Sequence, residues 1–210
     1  MSEGKKGKIL SAGKGLFLRY GYKRVSMNDI AEAAGISRPA LYLVFKNKEE
    51  IFKGAYKQWV DEKILEIEEK AETLNTAEEK LRLAFELGVI QLIEAMKTSP
   101  ELKELVERNF GYGSRKFENL VERFLTPIAP RKLKESSWTA ERAAHLLVSA
   151  VPGFKQTAET SEDLRLLIDD CVSLVLSYGR GIELDDDVAP IRRRACLRRR
   201  YDHRWVLPDR

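Results

Sequence analysis

The feature that most constrains this chain is the stretch from Ser26 to Glu50, SMNDIAEAAGISRPALYLVFKNKEE. One short apolar-periodic segment ends at Gly35, and a second begins directly after Ser37. Serine hydroxyls cap helix N-termini, and glycine adopts the backbone conformation that a sharp turn needs. The spacing therefore predicts two short helices joined by a tight turn, which is a helix-turn-helix.

The second helix of this motif has two different faces. At about 100° per residue, Leu41, Val44 and Phe45 point toward a small core. The outward face consists of Pro39, Tyr42, Leu43 and Lys46, flanked by Arg38 and Ala40. Exposed apolar side chains at the start of such a helix suit a DNA major groove, where they can pack on thymine methyl groups. The alternative is a small helical bundle without a DNA partner, in which Tyr42 is half-buried and Arg38 is merely solvated.

Charge is distributed unevenly along the 210 residues. Residues 1–48 carry ten Lys/Arg against three Asp/Glu, whereas residues 49–182 carry nineteen against twenty-four. A basic block before a mildly acidic body indicates one segment that faces a polyanion. Lys48 stands in the first turn of a predicted helix capped by Asn47, where the helix dipole disfavours a cation unless an anion lies nearby. We therefore expect Lys48 to contact phosphate.

The remaining pattern is helical almost throughout, and no alternating strand is evident. Predicted helices cover about residues 5–20, 27–34, a short third segment, 48–74, 76–97, 101–111, 114–126, 138–157 and 161–179, with breaks at Gly21, Pro100, the pair Gly111/Gly113 and the loop holding Pro127 and Pro130. The sequence thus predicts an all-α chain of about nine helices. The expected domains are 1–48 for DNA binding, 49–182 as a helical body, and 183–210 as a flexible tail.

The N-terminal stretch resembles the DNA-binding domain of TetR/AcrR transcription regulators. The resemblance rests on FLRYGYKRVSMNDIA, AAGIS and the ending LY–F–NKEE, spaced without gaps over about fifty residues. It implies an all-α cytoplasmic homodimer, a repressor that binds palindromic double-stranded DNA and is released by a small molecule. The implied DNA-contacting residues are Ser26, Arg38, Pro39, Ala40, Tyr42, Leu43 and Lys48. Lys46 is added as a DNA-binding residue because of its positive charge beside them. Leu43 and Val44 depart from the aromatic or histidine residues that the family often has, which leaves the base preference open.

Two C-terminal segments, 143–154 and 164–178, are apolar on nearly all sides, and the resemblance implies dimerisation through them. A helix that is apolar all round must be buried all round, either by a partner subunit or within one monomer. The predicted interface residues are Ala143, Ala144, Leu147, Ala150, Phe154, Leu167, Cys171 and Leu174. His145 is expected to be hydrogen-bonded within that interface.

A ligand pocket between the central helices is a further implication of the resemblance. The candidate lining residues are Tyr56, Trp59, Phe85, Gln91, Met96, Phe117 and Phe124. The alternatives are that these are ordinary core residues and that the protein binds DNA without a ligand. If a ligand binds, we expect it to shift the spacing of two DNA-binding modules, with the fourth helix transmitting the change.

Other function classes find little support in the residues. Two cysteines and two histidines give little material for a metal site or a disulfide framework, and no nucleophile or phosphate-loop motif is present. We therefore expect no catalysis, no cofactor, no metal, no membrane association and a cytoplasmic location. The arginine-rich residues of 183–210 are interpreted as a mobile extension or as an arm that touches nucleic acid.

Overall fold

The computed structural model describes residues 2–128 and 139–179. Over these residues the chain contains helices and no strand, which confirms the predicted all-α fold of nine helices. The helices are α1 (Ser2–Arg24), α2 (Met27–Ala33), α3 (Arg38–Tyr42), α4 (Lys48–Ala71), α5 (Ala77–Phe85, the π-helical turn Glu86–Ile90 and Gln91–Thr98), α6 (Pro100–Glu107), α7 (Phe110–Leu125), α8 (Ala140–Thr157) and α9 (Ser161–Gly179).

Side-chain caps fix where the first helices begin. Ser26 Oγ accepts the N–H of Asp29 at 3.2 Å, and the Asp29 carboxylate accepts the N–H of Ser26 at 2.8 Å. This reciprocal pair satisfies two backbone donors that a helix start leaves open. Asn47 likewise caps α4 by accepting the N–H of Glu50 at 2.9 Å. The Glu50 carboxylate accepts the N–H of Lys46 at 2.8 Å, whereas in a capping box it would accept the N–H of Asn47.

The turn between α2 and α3 forms at Gly35, as predicted. Its φ is +66°, a region that side chains disfavour because Cβ would crowd the following carbonyl. Ser37 then caps α3 by accepting the N–H of Ala40 at 3.3 Å. The predicted break at Gly21 is also present, since its φ of +76° and ψ of 160° are not helical and separate the long first part of α1 from a last turn that ends at Arg24.

The predicted break at Gly111 and Gly113 is wrong. Both glycines lie inside α7, and the chain instead turns at Asn109, whose side-chain amide donates to the carbonyl of Leu105 at 2.9 Å. Gly113 serves for close packing, because a methyl group there would collide with the hydroxyl of Tyr56 on α4. Pro100 is the first residue of α6, where its missing N–H costs no helical hydrogen bond.

Two apolar cores hold the described residues together. The module core packs α1–α3 against α4 and α6, so its contacts continue past the expected boundary at residue 48. Its buried members are Ile9, Leu10, Phe17, Val25, Met27, Ile30, Ala31, Leu41, Phe45, Ile51, Phe52, Tyr56, Val60, Leu105 and Val106. The body core packs α4, α5, α7, α8 and α9. Its largest fully buried side chains are Ile67, Leu81, Phe85, Ile90 and Leu120.

Two further expectations concern the C-terminal tail and membrane association. The flexible tail or arm predicted for 183–210 lies outside the described residues. In the described part of the chain, every helix is too short or too polar to cross a membrane.

Candidate DNA interface and ligand cavity

The face of α3 predicted to meet DNA is open to solvent. Leu43 is 87% exposed and Tyr42 43%, while Leu41 on the opposite side is fully buried. Four other predicted contact residues are also exposed: Ser26, Arg38, Pro39 and Lys46. Ala40 is half-buried. The structure therefore brings these side chains to one end of the N-terminal module, around a helix anchored by its buried face.

Arg38 and Tyr42 form a pair on this surface. The guanidinium carbon of Arg38 lies 5.7 Å from the centre of the Tyr42 ring, one helical turn away. At this distance a cation–π contact contributes only about 0.5–1 kcal/mol at an exposed site. The pair orders both side chains without removing them from contact with a partner.

Lys48 has a structural role that the sequence did not reveal. Its Nζ donates to the carbonyls of Tyr22 and Val25, both at 2.7 Å, and lies 4.2 Å from the centre of the Tyr22 ring. The ammonium thus ties the end of α1 to the start of α4, which explains a cation in this otherwise unfavourable position. Two of its three donors are occupied, so a phosphate contact, which stays a prediction, would use the third.

A polar junction links this module to α6. Arg108 lies 4.1 Å from the centre of the Tyr22 ring and 5.0 Å from that of Phe52, and its Nη2 donates to Glu49 at 2.9 Å. Burial, together with the hydrogen bond to Glu49, raises the pKa of Tyr22. Glu104 completes the junction by accepting the N–H of Tyr22 at 3.4 Å. Sequence reasoning missed this junction, since its members are separated by up to eighty-six positions.

A cavity of about 340 Å³ lies among α4, α5, α6, α7 and α8. Its wall includes four of the seven predicted lining residues: Tyr56, Trp59, Met96 and Phe117. The other three lie elsewhere. Phe85 is buried behind the wall and packs edge-to-face on Phe117 with ring centres 5.2 Å apart, Gln91 is exposed, and Phe124 packs against the body core.

Polar groups are few in this apolar wall. They are Lys63, Glu107, Ser114 and Lys155, together with the polar atoms of Tyr56 and Trp59. Lys63 lies seven residues after Tyr56 and four after Trp59, so all three occur on one face of α4. That spacing was visible in the sequence, whereas Lys155 is added only by the approach of α8.

Pro152 is, like Lys155, a residue of the cavity wall that the sequence did not predict. It lies inside α8, and it has no N–H to donate to the carbonyl of Val148 four residues earlier. Both residues line the cavity. A proline within an apolar helix is the sequence signal that could have drawn attention to this point.

A second hollow of about 480 Å³ lies between α1 and α2. Arg24, Asp29 and Glu32 line it together with Leu16 and Tyr20. Its charges are of both signs, and Asp29 is already engaged with Ser26 as the cap of α2. The hollow therefore indicates no particular ligand chemistry.

The predicted dimer residues on α8 and α9 divide into two groups. Ala143, Ala144 and Leu147 are buried within the body core of the single chain, so the prediction that they form an intersubunit contact is corrected. The pattern misled because an apolar segment can be covered by its own fold. The partly or largely exposed members are Ala150, Phe154, Leu167, Cys171 and Leu174, the last 68% exposed.

Other exposed apolar side chains accompany Leu174 on these two helices. Leu146 on α8 is 57% exposed and Leu166 on α9 is 49% exposed. His145, adjacent on α8, is exposed and its Nδ1 lies 2.9 Å from a carboxylate oxygen of Glu118. The outer sides of α8 and α9 thus expose leucines within a mostly polar surface.

Within the described residues, no three His, Cys, Asp or Glu side chains are grouped so as to hold a metal ion. Cys171 is a free thiol, and burial raises its pKa. Cys196 lies outside the described residues.

Residues 9–55 match the family model described as "Bacterial regulatory proteins, tetR family". Among curated proteins, the chain is 30% identical over 82 residues to the HTH-type transcriptional activator FasR of Mycolicibacterium smegmatis. That match covers 39% of this chain and 37% of the relative, so the chain spans little more than a third of the relative's length.

Solved structures extend the likeness in fold to most of the described residues. A transcriptional regulator from Cytophaga hutchinsonii aligns with a TM-score of 0.61 at 20% identity, covering 84% of this chain and 98% of the other. FadR of Thermus thermophilus, a TetR-family transcriptional repressor in complex with lauroyl-CoA, aligns with a TM-score of 0.53 at 19% identity, covering 84% and 95%. At these identities the likeness establishes the fold alone.

Proposed function

We propose that this chain, a member of the TetR family of bacterial regulatory proteins, represses transcription by binding an operator as a homodimer and releasing it when an apolar ligand fills the cavity. The observation that carries DNA binding is the face of α3. Leu43, the C-cap of a helix otherwise well anchored in a core, is 87% exposed, which is unfavourable in water and suited to a base-lined groove.

The basic charge of residues 1–48 supports the same proposal. Ten Lys/Arg against three Asp/Glu supply the phosphate attraction that positions such a module, while Arg38 and its neighbours on α3 read the bases. Arg38 stands at the first position of α3, where side chains of a recognition helix meet base edges. We assign Lys46 to phosphate, because it is exposed just beyond α3.

The exposed leucines of α8 and α9 support dimerisation. Leu146, Leu166 and Leu174 would be covered if these two helices packed against the same helices of a second copy. A two-fold dimer would place two copies of α3 about one DNA turn apart, which suits a palindromic operator.

Ligand control is supported by the cavity. Its wall is mostly apolar, with only a few polar groups, as is usual for small-molecule sites. The Thermus thermophilus neighbour binds lauroyl-CoA in a chain of this fold. We therefore propose a ligand with a long apolar part, of the fatty-acyl class, for this cavity.

Two helices connect the cavity with the DNA-binding face. α4 begins directly after the α3 segment and carries Tyr56, Trp59 and Lys63 of the wall. α6 carries the wall residues Val106 and Glu107 and packs on α1. A ligand that displaces either helix would move the module, so transmission through α4, as expected from the sequence, is here extended to α6.

The proposal is tested by selecting bound sequences from a random pool of duplex DNA. We expect a palindromic motif to be enriched, and enrichment of no motif would reject the proposal. Arg38→Ala should then relax the preference at one base position per half-site, by about 1–3 kcal/mol. Arg115→Ala is the matched control, since Arg115 is exposed on α7 and away from α3; it should leave the motif unchanged.

A further inference from the structure

One polar group in the cavity wall, the hydroxyl of Tyr56, has no hydrogen-bond partner among the described residues. Tyr56 is only 2% exposed and lines the cavity, and no described residue forms a hydrogen bond with its hydroxyl. Its ring lies beside that of Trp59, with 5.9 Å between the ring centres. The hydroxyl oxygen itself is not fully buried, so it faces the open space of the cavity, where water or a ligand can accept its hydrogen bond.

The position of the hydroxyl is fixed by the residue opposite. Gly113 on α7 also lines the cavity, and any side chain there would collide with Tyr56 Oη. The absence of a Cβ therefore leaves the space in which the hydroxyl lies.

The Tyr56 hydroxyl remains a hydrogen-bond donor over the whole physiological pH range. Burial raises the pKa of Tyr56 to about 12, so the phenol keeps its proton. The wall is mainly apolar, and none of its polar side chains (Lys63, Glu107, Ser114 and Lys155) forms a hydrogen bond with the hydroxyl. A hydrogen bond formed in such surroundings is stronger than one formed in water.

We infer that Tyr56 Oη donates a hydrogen bond to a carbonyl oxygen of the cavity's ligand, so that the site selects carbonyl-bearing apolar molecules (esters, thioesters or acids) over hydrocarbons of the same length. This inference rests on the proposed ligand cavity and adds the polar feature that a ligand must carry. The apolar wall provides affinity for the chain, and Tyr56 fixes where along the chain the carbonyl lies.

The test compares two probes of equal chain length, methyl decanoate and dodecane, of which only the ester has a carbonyl. Their affinities for the full chain are measured by equilibrium dialysis with radiolabelled probes. Tyr56→Phe should weaken binding of the ester by roughly three- to tenfold, which is the contribution of one net hydrogen bond. The affinity for dodecane should stay unchanged. Tyr112→Phe is the matched control, because the Tyr112 hydroxyl bonds Asp61 at 3.0 Å and lies outside the wall.

A spectroscopic measurement gives an independent readout. With a ¹³C-labelled ester carbonyl, the infrared stretch of the bound probe should be shifted to lower frequency in the wild type and in Tyr112→Phe. In Tyr56→Phe it should return to the frequency of an ester in hydrocarbon. An unchanged stretch in Tyr56→Phe would overturn the inference, as would equal affinities of the variant and wild type for the ester.

Stability separates a ligand contact from a structural one. Because no residue of the described part of the chain bonds the hydroxyl, Tyr56→Phe should melt at or above the wild-type temperature. A lower melting temperature would show that a protein group uses the hydroxyl and would contradict the inference. If neither probe binds the wild type, the proposed apolar ligand fails together with the inference; if both bind but Tyr56→Phe does not discriminate them, the inference alone fails.

Discussion

The N-terminal module and the helical body begin their helices in the same way but use their apolar side chains differently. Thr76 and Glu79 cap α5 with the same reciprocal pair that Ser26 and Asp29 form at α2. In the module, large side chains fill the interior, with Phe17 and Phe52 meeting edge-to-face at 5.0 Å. Between the module core and the body core, the same kinds of residue leave a cavity of about 340 Å³, which is lined by members of both.

This difference shows that local helix chemistry does not decide which region holds a ligand. A close-packed core resists displacement, and that suits a module that must present α3 in one orientation. Side chains in the wall of a cavity lack van der Waals neighbours on one side, and a ligand can provide those contacts. The two regions meet at Arg108, Tyr22 and Glu49, where a change in one can reach the other.

The largest expected effect concerns the packing of the module. Phe52→Ala should lower the free energy of unfolding by about 3–5 kcal/mol, because the ring is 1% exposed and contacts both Phe17 and Tyr22. Urea denaturation measures the loss. Phe110→Ala is the control at the rim of the cavity, where the ring is 55% exposed, and should cost far less. Equal losses for the two variants would show that the regions are packed alike.

An intermediate effect is expected at the junction of the two regions. Arg108→Ala should destabilise the fold by about 1–2 kcal/mol, since it removes the ring contacts and the ion pair with Glu49 together. A double-mutant cycle with Tyr22→Leu isolates the stacking contribution. Arg115→Ala, on an exposed part of α7, should change stability by less than about 0.5 kcal/mol. Additive losses from Arg108 and Tyr22 would mean that the two side chains do not interact.

The smallest expected effect concerns the feature that the two regions share, the reciprocal capping pair at a helix start. Hydrogen bonds from the backbone and side chain of Ser26 lower the pKa of Asp29 below its ordinary 3.8. A lowered folded pKa means that the cap stabilises the fold above the unfolded value and that this contribution is lost as pH falls through the folded value. Asp29→Asn should therefore flatten the acid side of the stability profile between about pH 5 and pH 2.

Glu79→Gln should act in the same direction in the body, because hydrogen bonds from Thr76 lower the pKa of Glu79. Chemical denaturation at a series of pH values checks both variants. A profile that stays steep in Asp29→Asn but flattens in Glu79→Gln would show that the two caps are not equivalent.

Much of this protein follows from the sequence by itself. Capping residues, the turn at Gly35 and the periodic burial of Leu41 and Phe45 are local properties, so the helices, the helix-turn-helix and its outward face could be predicted. Backbone hydrogen bonding and side-chain spacing act over a few residues, so these features can be predicted from short stretches of sequence.

Only the tertiary structure decided the rest. The burial of Ala143, Ala144 and Leu147 within one chain, the contact of Lys48 with the carbonyls of α1, and the junction at Arg108 depend on which helices become neighbours. The cavity depends on what remains unfilled when five helices meet, and so does the lack of a hydrogen-bond partner for the Tyr56 hydroxyl among the described residues. Composition and periodicity do not encode such distances, because they record which side chains turn inward and not what each one meets there.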